Sequence, residues 1–272
     1  MCAAAQVSRA SYYRFLGRVA ADPDMELRSM VQKIALSRPS YGYRRVQAEL
    51  QRRGHQLNHK RVRRLMREDN LLCLRRRSFV RTTDSRHGFT VYPNLAKEMV
   101  LTDINQLWVA DITYIRLRSE FVYLAVILDA YSRRVIGWEL SNSLAAELAL
   151  GALRQALKGR RFGPGLVHHS DRGVQYAAGD YTELLHENGI QISMSRRGNP
   201  YDNAQAESFM KTLKYEEVYR ADYHDQRDVR SSVGRFLETV YNEKRLHSAL
   251  SYVPPAEFER KLRKAKVTEA KA

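Results

Sequence analysis

The chain has 272 residues, with 46 Lys and Arg against 30 Asp and Glu, a formal net charge of +16 and a pI near 10. An excess of this size implies a polyanionic partner, most often nucleic acid. Two cysteines, Cys2 and Cys73, exclude a disulfide framework and a Cys/His zinc module, and the longest apolar run, 121–128, is far too short to span a bilayer. A reducing, cytoplasmic setting with no membrane fits, and the N-terminus lacks the pattern of a signal peptide.

Positive charge concentrates in 44–77, which hold twelve Lys and Arg against three acidic residues. Residues 8–18 read as a short basic helix with an aromatic face. Asp22-Pro23-Asp24 starts a second helix that runs to about residue 36 and ends at Arg38-Pro39. A Ser40-Tyr41-Gly42-Tyr43 turn leads to a third helix over 44–53, stopped by Gly54. Asn58 caps a fourth over 59–69, with Val62, Leu65 and Met66 as its buried face. The last two helices and their Gly-containing turn have helix–turn–helix form. The fourth presents Lys60, Arg61, Arg63, Arg64 and Arg67; with Arg44 and Arg45 these are candidate DNA contacts. Phosphate contact alone would satisfy such a surface. Residues 1–80 are thus expected to form an all-α DNA-binding region. Arg75-Arg76-Arg77 then gives way to a Thr/Asp/Ser/Gly/Pro stretch, and 81–100 is expected to be a linker.

From residue 106 the pattern becomes that of strands. Residues 108–115 are apolar on both faces apart from Asp111 and Thr113, the signature of a central strand. Ser119-Glu120 is a turn, 121–128 a second buried strand and 134–140 a third, which together predict an antiparallel meander. A helix over 144–157 follows, with Gly151 as its weak spot. Residues 166–170 form a fourth strand closing on Asp171, 181–187 a helix capped by Asn188-Gly189, and 190–194 a fifth strand. The order predicts an α/β fold: a mixed five-stranded sheet flanked by helices, within a core over 101–216.

Gly198-Asn199-Pro200 is turn chemistry. Asp202 is placed to cap the next helix, with Gln205 closing a capping box. Ala206, Phe209, Met210 and Leu213 recur at buried-stripe spacing, and Asn203, Glu207, Lys211 and Lys214 share a flank about 80° wide. Taken alone, Glu207 and Lys211 are an ordinary i,i+4 pair on a helix surface. Residues 217–272 are expected to be a helical extension, with an amphipathic helix over 225–241 and a basic, frayed tail from Arg260.

Two carboxylates upstream change the weight of Glu207. Asp111 stands mid-strand among apolar residues, where an ionised carboxylate costs on the order of several kcal/mol unless a counter-charge offsets it. Asp171 ends a buried strand, and strand ends in α/β sheets are where ligands sit. If the first and fourth strands are neighbours, Asp111, Asp171 and Glu207 converge. Three hard oxygen donors suit Mg²⁺ or Mn²⁺ rather than zinc. Two such ions about 3.5–4 Å apart support phosphoryl transfer. Lys211, Lys214, Asn203 and Arg172 would then be candidate contacts to the DNA strand. His168, His169 and His247 read as packing or hydrogen-bonding groups, and Asp103 and Asp129 as turn or strand-end residues.

Trp108-x-x-Asp111-Ile112-Thr113-Tyr114, His169-Ser170-Asp171-x-Gly173-x-Gln175-Tyr176 and Asp202-Asn203-Ala204-x-Ala206-Glu207-Ser208-Phe209 resemble the DDE core of retroviral-type integrases and bacterial insertion-sequence transposases, with 35 residues between Asp171 and Glu207. Tyr41-Gly42-Tyr43-Arg44-Arg45 and the closing Tyr241-Asn242, Arg245-x-His247-Ser248-x-Leu250-x-Tyr252-x-Pro254 are similar to second-reading-frame (OrfB-type) transposases, over nearly the whole chain. The resemblance implies an RNase H-like fold, a two-metal Asp111/Asp171/Glu207 site, and homo-oligomeric action on terminal inverted repeats and target DNA. The chain departs from retroviral integrases in having no residues for their N-terminal His/His/Cys/Cys module. In many members of the group this frame is joined by frameshifting to an upstream frame, so the upstream-frame protein is an expected partner. The expectation is a metal-dependent DNA transposase. A DNA-binding regulator with an idle core and a simple RNase H or junction nuclease are the alternatives the residues alone leave open.

Overall fold

The computed structural model describes residues 8–10, 12, 24–72, 90–117, 120–196 and 199–269. The chain divides into two compact units, Met1–Arg76 and Arg77–Ala272. The basic run Arg75-Arg76-Arg77, Ser119 and Gly198 lie outside the described residues, as does most of the expected helix over 8–18.

The first unit contains α1 (Met25–Ser37), α2 (Tyr43–Arg52) and α3 (His59–Glu68). Their apolar stripes close on one another: Val31 and Ile34, Val46 and Leu50, and Val62, Leu65 and Met66 are all buried. Gly54, at φ 87°, supplies the left-handed turn after α2. Asn58 caps α3, its side chain accepting the Lys60 N–H at 2.8 Å. Asp24, expected only to start α1, is a buried carboxylate that receives Arg61 at 3.0 Å and Arg64 at 2.6 Å from α3.

The second unit is built on β1 (Leu107–Arg116), β2 (Phe121–Asp129), β3 (Val135–Ser141), β4 (Val167–Ser170) and β5 (Gln191–Met194), in the spatial order β3-β2-β1-β4-β5. The first three form the antiparallel meander; β4 and β5 add in parallel beside β1. Parallel addition needs helical crossovers, which α4 (Ala146–Gly159), the short α5 (Val174–Ala177) and α6 (Gly179–Glu187) provide. The result is an RNase H-like mixed sheet. Alternation along β1 sends Trp108 and Ala110 to the face covered by α4 and α6. It sends Leu107 and Val109 to the opposite face, under α7 (Ala204–Glu216) and α8 (Gln226–Arg235). Asp111 shares the parity of Val109 and belongs to the α7 face.

Several expectations need correction. Gly151 is not a weak spot but a contact point: a Cβ there would lie 2.7 Å from Glu139 Cγ of β3. Residues 90–100, read as linker, strap the second unit. Ala96 and Met99 pack on its core, and the Leu95 N–H donates to Ser193 Oγ at 2.8 Å. The amphipathic helix over 225–241 changes pitch, since α8 passes into a π-helical turn over Phe236–Tyr241. The tail is not frayed where it is described. α9 (Pro255–Glu269) is helical, and its Glu259, 1% exposed, accepts from Ser132, Arg134 and Arg160 at 2.7, 2.8 and 2.6 Å. Burial with three donors holds that helix where its basic composition alone would not. Among the described residues no helix is long and apolar enough to cross a membrane.

Candidate active site

The register of β1 against β4 decides the site. Val109 pairs with His169 in parallel, so Asp111, still within β1, and Asp171, just past the end of β4, each lie two residues further on along neighbouring paths. Asp171 is the first residue past β4, and its carboxylate accepts the Gly173 N–H at 2.9 Å. A Cβ at Gly173 would lie only 3.0 Å from that oxygen, so the bare glycine gives the carboxylate its room.

Glu207 arrives from the far end of the sequence. Asn203 Nδ2 donates 3.1 Å to the Ala110 carbonyl, one residue before Asp111. Glu207 follows one turn later on α7, whose Ala206, Phe209, Met210 and Leu213 bury against the sheet. At the far end of α7, Glu216 accepts Arg245 at 2.7 Å, and Arg245 also reaches His247 at 3.3 Å. The closing Arg-x-His motif therefore clamps the helix that carries Glu207.

The start of α7 departs from the capping-box expectation. Asn203, not Asp202, holds the N-cap position, without a side-chain cap bond, and Asp202 lies in a 3₁₀ turn over Pro200–Asn203. Asp202 instead gathers the Arg196 backbone N–H at 2.9 Å, the Arg196 guanidinium through two bonds of 3.0 Å, and Asn199 Nδ2 at 3.0 Å. The guanidinium bonds hold its carboxyl far below the usual carboxylate range. A bidentate charged pair outcompetes a single cap bond. This latch was not legible in sequence, because Asp at that position satisfies both roles.

The electrostatics mark Asp111. Its half-buried side chain is pushed from 3.8 up to about 8, chiefly by burial, then by the charges of Asp171 and Glu207. The Ile112 N–H and Lys214 oppose the rise. Lys214 is half-buried with Nζ 4.7 Å from the Tyr114 ring centroid; burial lowers its pKa and Asp111 raises it. Among the described residues no three acidic, His or Cys side chains are gathered tightly enough to close on an ion. Asp111, Asp171 and Glu207 are the residues that would hold a divalent cation, since the charges of the other two both act on Asp111. Their all-oxygen donor set fits Mg²⁺ or Mn²⁺.

The other candidate contacts divide. Lys211 is exposed one turn beyond Glu207. Asn203, expected beside the DNA strand, is buried with its amide turned to β1. Arg172 Nε donates to the Ser195 carbonyl at 2.8 Å and ties the β4 and β5 ends. His169 bonds Ser193 and Ser195 at 2.8 and 3.0 Å, and His168 bonds the Tyr181 hydroxyl at 2.9 Å, so both are internal. In the first unit Arg61 and Arg64 are engaged by Asp24. Arg44 and Arg63 both lie over the Tyr43 ring, Arg45 lies over Tyr41, and Lys60 is exposed at the start of α3.

A five-stranded RNase H-like sheet, with a separate unit of helix–turn–helix form in the same chain, is the make-up of an integrase-type polynucleotidyl transferase. Residues 102–200 match the integrase core domain family, 188–255 a second integrase core domain, and 22–79 an HTH-like domain. The chain is 38% identical over 267 residues to the insertion element IS600 uncharacterized 31 kDa protein of Shigella sonnei, covering 96% of this chain and 98% of that protein. It is 34% identical over 268 residues to transposase InsF for insertion sequence IS3A of Escherichia coli K12, covering 96% and 93%. A structure of the HTLV-2 integrase catalytic core domain in complex with magnesium aligns with 57% of this chain and 95% of its own, at 16% identity and a TM-score of 0.44. The chain belongs to the insertion-sequence DNA transposases.

Proposed function

We propose that this transposase cuts DNA at the terminal inverted repeats of its element and joins the freed ends to target DNA, using Asp111, Asp171 and Glu207 to hold two Mg²⁺ or Mn²⁺ ions. The observation that carries this reading is the parallel pairing of Val109 with His169, which runs β1 at Asp111 alongside the end of β4 at Asp171, while Asn203 ties the helix of Glu207 to Ala110. Bound divalent ions supply charge stabilisation to a phosphoryl centre and lower the pKa of an attacking hydroxyl.

The protein's own groups do the rest. Asp111 on β1 and Asp171 just past the end of neighbouring β4 set the spacing of the site; Glu207, carried on α7, completes it. Lys211 and Lys214, on the same helix as Glu207, supply positive charge for the phosphate backbone. In the first reaction a water oxygen bonds to phosphorus as the bond to the 3′ oxygen breaks. In the second, the freed 3′-OH attacks a target phosphodiester and the target strand's 3′ oxygen leaves. The first unit supplies sequence-independent hold through Arg44, Lys60 and Arg63. Two ends and one target call for a homo-oligomer on DNA.

The test is strand cleavage and joining in vitro with Mg²⁺ and duplexes carrying the element's ends. Asp111→Asn, Asp171→Asn and Glu207→Gln should each abolish both reactions while the affinity for DNA stays within about twofold. Retained cleavage in Asp171→Asn would overturn the assignment.

A further inference from the structure

Glu207 stands on one rim of the apolar stripe by which α7 packs on the sheet, Ala206, Phe209, Met210 and Leu213. At about 100° per residue Glu216, the last residue of the helix, stands on the opposite rim. A helix with its side chains is about 10–12 Å across, so a roll of roughly 10° about its axis moves a rim carboxylate by about 1 Å. Apolar attraction is non-directional, and bonds with direction refine that angle. Glu216 makes one such bond: it receives Arg245 Nε at 2.9 Å and Nη2 at 2.7 Å, a bidentate fork. Arg245 is 3% exposed, lies over the Tyr241 ring at 5.8 Å and reaches His247 at 3.3 Å. Tyr241 packs edge-on against Phe209, two residues past Glu207, with ring centres 4.9 Å apart. It closes the π-helical turn over Phe236–Tyr241, and isolated π turns occur frequently at functional sites.

A buried ion pair often adds little stability over apolar packing of the same volume, and its best-attested use is to fix register. We propose that Arg245 is a positioning residue for the catalytic site: through Glu216 and Tyr241 it sets the roll of α7 and with it the place of the Glu207 carboxylate. Arg245 touches no reacting atom. The role rests on the function proposed above for Glu207, and it makes residues 217–255 a working part of the site where the sequence predicts only an extension. A misplacement of about 1 Å costs on the order of 100-fold in rate. Loss of the fork therefore tells on the rate and on metal affinity, and little on folding or on the hold on DNA.

The experiment uses the full-length protein and compares the wild type with Arg245→Lys and with the double variant Glu216→Met, Arg245→Met. Four quantities are read well below the melting temperature or along the melt: the cleavage rate of element-end duplexes with Mg²⁺, the DNA affinity, the metal-free Tm, and the Mn²⁺ concentration that gives half of the metal-induced rise in Tm without DNA. The double variant replaces the pair by apolar side chains of similar length, so its Tm should match or exceed that of the wild type and its DNA affinity should stay within about twofold. Its kcat should fall at least thirtyfold with KM for DNA unchanged, and its half-maximal Mn²⁺ concentration should rise several-fold. Arg245→Lys, which keeps the charge and loses the fork, should fall between the two. A double variant with wild-type Tm that cuts within threefold of the wild-type rate overturns the role, as does a rate that only follows Tm across the variants. Should the double variant not fold, Arg245→Lys decides, and a full rate in it overturns the role. A wild type that binds Mn²⁺ and does not cut, with weaker Mn²⁺ binding in the variants, overturns the function proposed above and leaves the positioning role standing.

Discussion

Asn203 Nδ2 donates to the carbonyl of Ala110 at 3.1 Å, and this one bond fastens the helix of Glu207 to the strand of Asp111 across 93 residues of sequence. Asn203→Ala should lose about 1 kcal/mol of stability, the usual worth of such a bond. Its effect on chemistry should be larger, because misplacing a catalytic group by about 1 Å costs on the order of 100-fold in rate. Paired measurements of cleavage rate and DNA affinity check it: the rate should fall at least tenfold while binding holds.

The Arg196–Asp202 latch should behave similarly at the next residue. Asp202→Asn removes the charge that draws the guanidinium through two bonds of 3.0 Å. Cleavage should drop severalfold at unchanged DNA affinity. Arg196→Lys, which keeps charge but loses the fork, should fall between wild type and Asp202→Asn. Equal rates for all three would remove the latch from the account.

Asp111 links stability to pH and to metal. Burial and then the charge of Asp171 push its carboxyl from 3.8 up to about 8 in the folded protein. Between those values the folded state binds more protons, so stability should fall as pH rises from about 4 to 8. Asp111→Asn should flatten that slope. Mg²⁺ or Mn²⁺ should raise the Tm of the wild type more at pH 8 than at pH 5, and should do little for Asp111→Asn. Thermal unfolding across pH with and without metal measures all of this.

His168 sets an opposite slope. It is 1% exposed, bonded to the Tyr181 hydroxyl, and burial lowers its pKa from 6.5 to about 3. The unfolded chain then binds the extra proton, so stability is lost as pH falls below about 6.5, by roughly 2 kcal/mol at pH 5. Urea unfolding of wild type and His168→Gln at pH 5 and 7.5 should show a smaller difference between the two pH values in the variant.

In the first unit, neighbouring arginines of α3 should separate by role. Arg63→Ala should weaken DNA binding and shrink the salt slope by about one. Arg61→Ala should chiefly lower thermal stability, because its guanidinium offsets the buried Asp24. Salt-dependent binding curves and melting temperatures for both variants decide between them.

Much of this was determined by sequence alone. The β-β-β-α-β-α-β-α order, the central strand around Asp111, the Asn58 cap and the buried stripe of α7 follow from periodicity and turn chemistry, which are local and therefore written in consecutive residues. The three acidic residues could be named because their types and spacing resemble a known core. Tertiary structure decided the rest, because it depends on partners far apart in the chain. Pairing of Val109 with His169 aligns Asp111 with Asp171. The pull of Arg196 turns Asp202 from a helix cap into a latch. Asp24 pairs with Arg61 and Arg64 and offsets their charge within the exposed basic surface. Burial of Glu259 orders a tail whose composition promised none. A side chain with several short-range options is assigned by whichever distant group reaches it with the strongest bond, and no window of neighbouring residues contains that group.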